Sequence, residues 1–224
     1  MSEVIYMMPG MGALPDIFRF LKIHPGFQVK YLHWISPQKN EEFPHYVSRL
    51  IEEQINVNDK NPIVLGMSFG GMVAHEIARQ IPVSSLIFLS TVKTHREFPP
   101  WFKLGKISRY NAWAPFRLLL HPTRLKPYVP FKFLKRRLDI YDRYLGIRDV
   151  SYFRWAVRTI IHWKGEIPTI PYIHIHGAQD RIFPPAYLKP PVDFIPGATH
   201  MAVLTHPRQV SRKINGFLIG LSAK

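Results

Sequence analysis

The apolar residues of this chain follow two alternating rhythms. Short unbroken runs come first: Val4-Ile5-Tyr6-Met7-Met8 ending at Pro9-Gly10, Val29 to Trp34, Ile63-Val64-Leu65, Ser85 to Leu89, Ile170 to His176 and Val192 to Ile195. Runs of this length, closed by Gly or Pro, predict strands buried on both faces. Between them, apolar residues return every three or four positions. Val47, Leu50, Ile51 and Ile55 follow Pro44; Val73, Ile77 and Ile81 are spaced by four; Val210, Ile214, Phe217, Leu218 and Leu221 follow Pro207. That period predicts amphipathic helices, and Asp16 to Leu21 reads as a further helix start. Strands alternating with helices predict an α/β fold with a mostly parallel sheet covered on both sides.

From Val92 the rhythm breaks. Prolines at 99, 100, 115, 122, 127 and 130 interrupt it. Two helices are still expected, one from Leu134, Leu138, Tyr141 and Leu145, the other from Val150, Phe153, Val157, Ile160 and Ile161. This stretch reads as a helical insertion between two sheet strands. A chain of 224 residues suits one domain carrying such an insertion.

Charge sharpens the division. The chain has 30 Lys and Arg against 15 Asp and Glu, a net charge of +15. Between Val92 and Gly165 there are 17 basic residues and 4 acids, so +13 of the +15 lies there; the flanking segments are nearly neutral. The same stretch is rich in aromatics, among them Trp101, Tyr110, Trp113, Phe116, Tyr128 and Trp155. A net charge this high first suggests nucleic acid. Confined to one insertion, it points instead to what that insertion meets. Cysteine is absent, which excludes a disulfide scaffold, a thiolate metal site and a cysteine nucleophile. No apolar run approaches the roughly 18 residues of a membrane span, and the N-terminus lacks the basic and apolar regions of a secretory signal. The expected location is the cytoplasm, with a peripheral membrane position as a further option.

The strongest chemical motif is Gly66-Met67-Ser68-Phe69-Gly70-Gly71, a G-x-S-x-G pattern between a predicted buried strand and a predicted helix. A turn this tight needs small flanking residues, presents the Ser68 hydroxyl above the sheet, and aims the Phe69 amide where an oxyanion would form. A hydroxyl nucleophile needs a base, and the base an orienting carboxylate. His176-Gly177-Ala178-Gln179-Asp180 follows one strand and Gly197-Ala198-Thr199-His200 follows the last. Asp193 is nearer to His200 in sequence but lies within the final strand. His174 and His176 share one strand face without a third metal ligand at sensible spacing. His75-Glu76 begins like a zinc motif that Arg79 leaves incomplete.

The stretches at 66–71, 176–184 and 197–200, with the Pro9-Gly10-Met11-Gly12 turn, resemble the α/β-hydrolases of the small esterase and lipase-like type that carry a helical cap. The order Ser68, Asp180, His200 is the order of that fold. The resemblance implies Ser68 as nucleophile, His200 as base and Asp180 as orienting acid. The backbone N–H groups of Met11 and Phe69 would form the oxyanion hole, and Gly10 and Met67 are the substrate-contact candidates. It implies a core over 1–91 and 167–224 and a cap over 92–166. Fuller members have two earlier strands, so about six are expected here, with only a turn between Asp180 and His200. Where the family usually has His-Gly this chain has Pro9-Gly10. The implied activity is carboxylesterase-like cleavage of an acyl ester or thioester through an acyl-enzyme, without metal or cofactor. The alternatives are transfer to or from an acyl carrier, and a silent protein that binds through its basic cap. The candidate partners of the cap are an anionic membrane and an acidic carrier, ahead of nucleic acid.

Overall fold

The computed structural model describes residues 3–102, 120–128 and 132–222. Six parallel strands form one sheet in the order β2-β1-β3-β4-β5-β6. They are β1 (Glu3–Met8), β2 (Phe27–Tyr31), β3 (Ile63–Met67), β4 (Ser85–Leu89), β5 (Tyr172–Gly177) and β6 (Asp193–Ile195). Among the described residues lie the helices α1 (Phe43–Gln54), α2 (Phe69–Gln80), α3 (Lys132–Tyr144), α4 (Val150–His162), α5 (Ala202–Thr205) and α6 (Pro207–Ser222). The fold expected from the apolar rhythm is the fold found. The central strands read as continuous apolar runs because both faces are covered. Ile5, Met7, Leu65, Ile87 and Ile175 pack against Val210, Ile214 and Leu218 of α6 on one side. Tyr6, Met8, Val64 and Phe88 pack against Val47, Leu50, Val73 and Ile77 of α1 and α2 on the other.

Three expectations shift at their edges. The strand expected to reach Trp34 stops at Tyr31. Leu32 still donates its amide to Met7, but the chain then leaves the sheet and Trp34 turns toward the β1 turn. The helix expected from Asp16 is a single 3-10 turn, Pro15–Phe18, that drops Ile17 and Phe18 into the core. Strand β5 begins after Pro171, whose missing N–H cannot join a ladder. The two expected helices between β4 and β5 are α3 and α4. Of the residues singled out in that stretch, Tyr110, Trp113, Pro115, Phe116 and Pro130 lie outside the described residues. Among the described residues no helix is long and apolar enough to cross a membrane.

The strand order sets where a ligand can sit. The chain leaves β1 toward β2 on one side and returns to β3 on the other. At such a switch the loops beyond the strand ends diverge and open a crevice. The residues beyond those two ends are Pro9 to Gly12 and Ser68.

Candidate active site

Ser68 sits between β3 and α2 with φ 53° and ψ −123°, a conformation that an L-residue adopts only under strain. The surroundings explain how it is held. A Cβ at Gly66 would lie 2.2 Å from the Gly70 carbonyl oxygen, and one at Gly70 would lie 2.4 Å from that of Pro9. Only glycine permits these approaches, so helix, strand and β1 turn lock together around the serine. The Ser68 amide donates to Leu89 (3.0 Å), and the Thr91 hydroxyl donates to the Ser68 carbonyl (2.7 Å).

Asp180 and His200 reach the same point from the far side of the sheet. After β5 the chain turns through Gly177, where a Cβ would meet the Thr199 carbonyl oxygen at 2.4 Å. That contact brings the His200 loop against the Asp180 loop, and Gln179 donates its amide to Ala198 at 2.8 Å. The connection from Asp180 to β6 contains one 3-10 turn, Pro185–Tyr187, as the short spacing predicts. His200 Nδ1 lies 2.8 Å from Asp180 Oδ2, and His200 Nε2 lies 3.0 Å from Ser68 Oγ. A carboxylate only accepts, so Nδ1 carries the proton and Nε2 accepts from the Ser68 hydroxyl. Phe183 packs its ring 5.7 Å from that of His200.

Asp180 is held as an anion. Burial pushes its carboxyl up, but hydrogen bonds from His176 and His200 outweigh burial and hold it well below the usual carboxylate range. Its other oxygen accepts from the amides of Ile182 (2.8 Å) and Phe183 (3.1 Å). In the sequence His176 stands out as part of a loop motif and as one of two strand histidines without a third metal ligand. Its Nε2–H donates to the Phe183 carbonyl at 2.9 Å and lies 3.1 Å from Asp180 Oδ2. That single proton lies between the Phe183 carbonyl and the Asp180 carboxylate, so His176 lends a shared donor to the carboxylate that faces His200. Asp193 stands apart, 3.4 Å from Lys213.

The turn after β1 is clamped from several directions. Trp34 Nε1 donates to the Gly10 carbonyl (2.8 Å) and Ala13 donates to the same oxygen (2.9 Å). The Gly12 amide donates to the buried Tyr152 hydroxyl (3.0 Å), and the Gly12 carbonyl accepts from Gly146 and Ile147. With the amides of Gly12 and Ala13 engaged, that of Met11 is left at the tip. Phe69 is the first residue of α2, where helix amides have no intrahelical acceptor. Gly10 lies against Ser68, its position for a Cβ 3.5 Å from Ser68 Cβ. Met67 is buried and belongs to the packing under the sheet. Its side chain serves the core more than a substrate surface. Trp34 and Tyr152 had no local signal, since their partners lie 24 and 140 residues away.

The remaining singled-out histidines are each engaged through at least one ring nitrogen. His174 donates from Nε2 to Thr91 (3.0 Å) and accepts at Nδ1 from Lys93 (3.0 Å). Lys93 also donates to the Lys189 carbonyl (2.6 Å) and pairs with Glu97 (2.9 Å), both side chains being fully buried. His75 bonds through Nε2 to the Glu166 carbonyl.

Comparison with known proteins places the chain in a family. A profile described as the alpha/beta hydrolase family matches residues 8–213. No curated protein sequence matches. Among solved structures, a thermophilic esterase from Thermogutta terrifontis superposes with a TM-score of 0.68 at 15% identity, covering 98% of this chain and 90% of that one. An enol-lactonase from Burkholderia xenovorans LB400 gives 0.68 at 13%, covering 98% and 92%. A bromoperoxidase from Bacillus anthracis gives 0.61 at 17%, covering 97% and 92%. At these identities the likeness is one of fold, shared by proteins with different printed activities. The match over residues 8–213 carries the assignment: the chain belongs to the alpha/beta hydrolase family.

Proposed function

We propose that the chain is a serine hydrolase that cleaves a carboxylic ester or thioester through an acyl-enzyme. The observation that carries this is the continuous line from Ser68 Oγ to His200 Nε2 (3.0 Å) and from His200 Nδ1 to Asp180 Oδ2 (2.8 Å), starting at a strained serine. Ser68 Oγ attacks the acyl carbonyl as its proton passes to His200 Nε2. Asp180 keeps the imidazole in the Nδ1–H tautomer and stabilises the imidazolium. The tetrahedral oxyanion accepts from the amides of Met11 and Phe69; losing such a donor costs about 3–4 kcal/mol of transition-state stabilisation. The proton on His200 then goes to the departing alcohol or thiol. Water, deprotonated by His200, attacks the acyl carbon, and Ser68 leaves with its proton restored.

In this reading residues 92–166 are a cap on the core of 1–91 and 167–224. The reading draws support from α4, whose Tyr152 holds the oxyanion turn and whose Trp155 ring stands 5.9 Å from that of Phe69. The test is a panel of acyl esters and thioesters of graded chain length. Wild-type protein turns over at least one, and Ser68→Ala does not. A folded wild-type protein inert across the panel and towards serine-directed probes would favour the silent, binding-only alternative.

A further inference from the structure

One concavity has a lining that does not include Ser68. It is a cleft of about 1060 Å³ between the Pro37–Pro44 segment, the C-terminal turn of α2, and α4 with its following residues to Gly165. Trp155, Trp163 and Phe43 supply apolar lining, and the rim is cationic: Lys39, Arg79, Arg154, Arg158 and Lys164 all line it and all are exposed. They come from three separate parts of the chain, two of them outside the basic insertion. Their convergence is therefore a property of the fold and not of local composition.

The acids in the cleft do not answer this charge. Glu41 is committed to Arg49, which holds its carboxyl down at about 2 and bonds it through two nitrogens. Glu76 is buried and pairs with Arg79 (3.2 Å). That leaves Glu42 against Lys39, Arg154, Arg158 and Lys164. Among the described residues no carboxylate lies within ion-pair distance of those four cations. Arg154 and Arg158 are one helical turn apart on α4, a spacing at which like charges destabilise a helix. A bound anion would relieve that repulsion. Guanidinium groups match phosphate oxygens in a bidentate fork, and the volume suits a small molecule. A recessed pocket with an aromatic wall fits such a ligand better than a flat bilayer.

We infer that this cleft binds a phosphate-bearing small molecule, with Arg154 and Arg158 as its principal anchors. The inference does not depend on the chemistry assigned to Ser68. Helix α6 supplies a matched control: Arg208 and Arg212 repeat the same spacing and are also exposed, but neither lines the cleft.

The experiment is calorimetric titration of the full chain with pyrophosphate in low-salt buffer. Wild-type protein is expected to bind. Arg154→Gln/Arg158→Gln should weaken binding by about tenfold or more, since charge-assisted bonds are lost. Arg208→Gln/Arg212→Gln should stay within about twofold of wild type, as non-specific attraction alone is touched there. All four positions are exposed, so both variants keep the fold, which circular dichroism verifies. A parallel arm offers phosphatidylglycerol vesicles. Vesicle capture that pyrophosphate does not compete, pyrophosphate binding no tighter than chloride, or equal weakening by the two double variants would each overturn the inference.

Discussion

Strand β5 carries two buried histidines whose rings stand 5.3 Å apart, and each serves a different buried charge. His176 donates toward Asp180, which faces His200 and Ser68. His174 accepts from Lys93, which pairs with Glu97. The two clusters share a strand and comparable burial, yet they differ in one respect. In the Lys93 cluster every ammonium proton has an acceptor: His174 Nδ1, the Lys189 carbonyl and Glu97. Glu97 in turn accepts from the Lys93 and Lys189 amides. The Asp180 line instead ends at the Ser68 hydroxyl, with His200 13% exposed. Burial pushes Lys93 toward its neutral form and the Glu97 charge opposes that, whereas at Asp180 hydrogen bonds win over burial; both groups are perturbed all the same. A buried charge is thus weak evidence of chemistry. An open end against a partly exposed hydroxyl on a strained backbone is the stronger sign.

Breaking each cluster should give opposite results. Ser68→Ala should lower turnover by about 10⁴-fold or more, because nucleophile and base act as a unit. It should leave unfolding by denaturant almost unchanged. Ser68→Gly should abolish turnover and also raise stability by about 1 kcal/mol, since glycine tolerates φ 53° without strain. Lys93→Met should do the reverse. Stranding Glu97 without its counter-charge should cost about 3–5 kcal/mol of stability, while folded molecules keep near-normal kcat. The double variant Lys93→Met/Glu97→Gln should recover part of that loss, because no charge is then stranded.

Two smaller effects sharpen the contrast. Tyr152→Phe leaves the Gly12 amide buried without an acceptor, at about 1–3 kcal/mol. If the hydroxyl positions the oxyanion turn, kcat falls more than KM changes; a stability loss with unaltered kinetics would make the contact purely structural. His176→Leu removes a donor that favours the Asp180 carboxylate, so the Asp180 pKa should rise toward its unfolded value. In wild-type protein the depressed pKa contributes stability that is present above the ordinary carboxylate range. That stability is lost as pH falls below about 4. The variant should therefore lose less stability than wild type on acidification from pH 5 to pH 2.5, measured by urea denaturation at each pH.

What could be read in advance divides along the same line as the physics. The β-strands, α1, α2 and α6 were legible because their signal is local periodicity, and the nucleophile turn because Gly66, Ser68 and Gly70 lie within five residues. Asp180 and His200 were legible only through chain order and the resemblance of their loops. The clamp by Trp34 and Tyr152 and the Lys93–His174 contact were not, because topology alone brings those partners together across 24 to 140 residues. His176 and Asp180 are only four residues apart, but their contact depends on the bend after β5, which no periodicity marks. The charge count of the insertion also includes Lys93 and Glu97. Both are fully buried and spent on each other.

The central claim is that Ser68 is an activated nucleophile, and its most direct test is covalent labelling. Wild-type protein exposed to a fluorophosphonate probe should gain one adduct, located at Ser68 by peptide mass spectrometry. Labelling should vanish in Ser68→Ala and slow strongly in His200→Ala. A correctly folded wild-type protein that takes no label, or takes it at another serine with Ser68→Ala unaffected, would contradict the account.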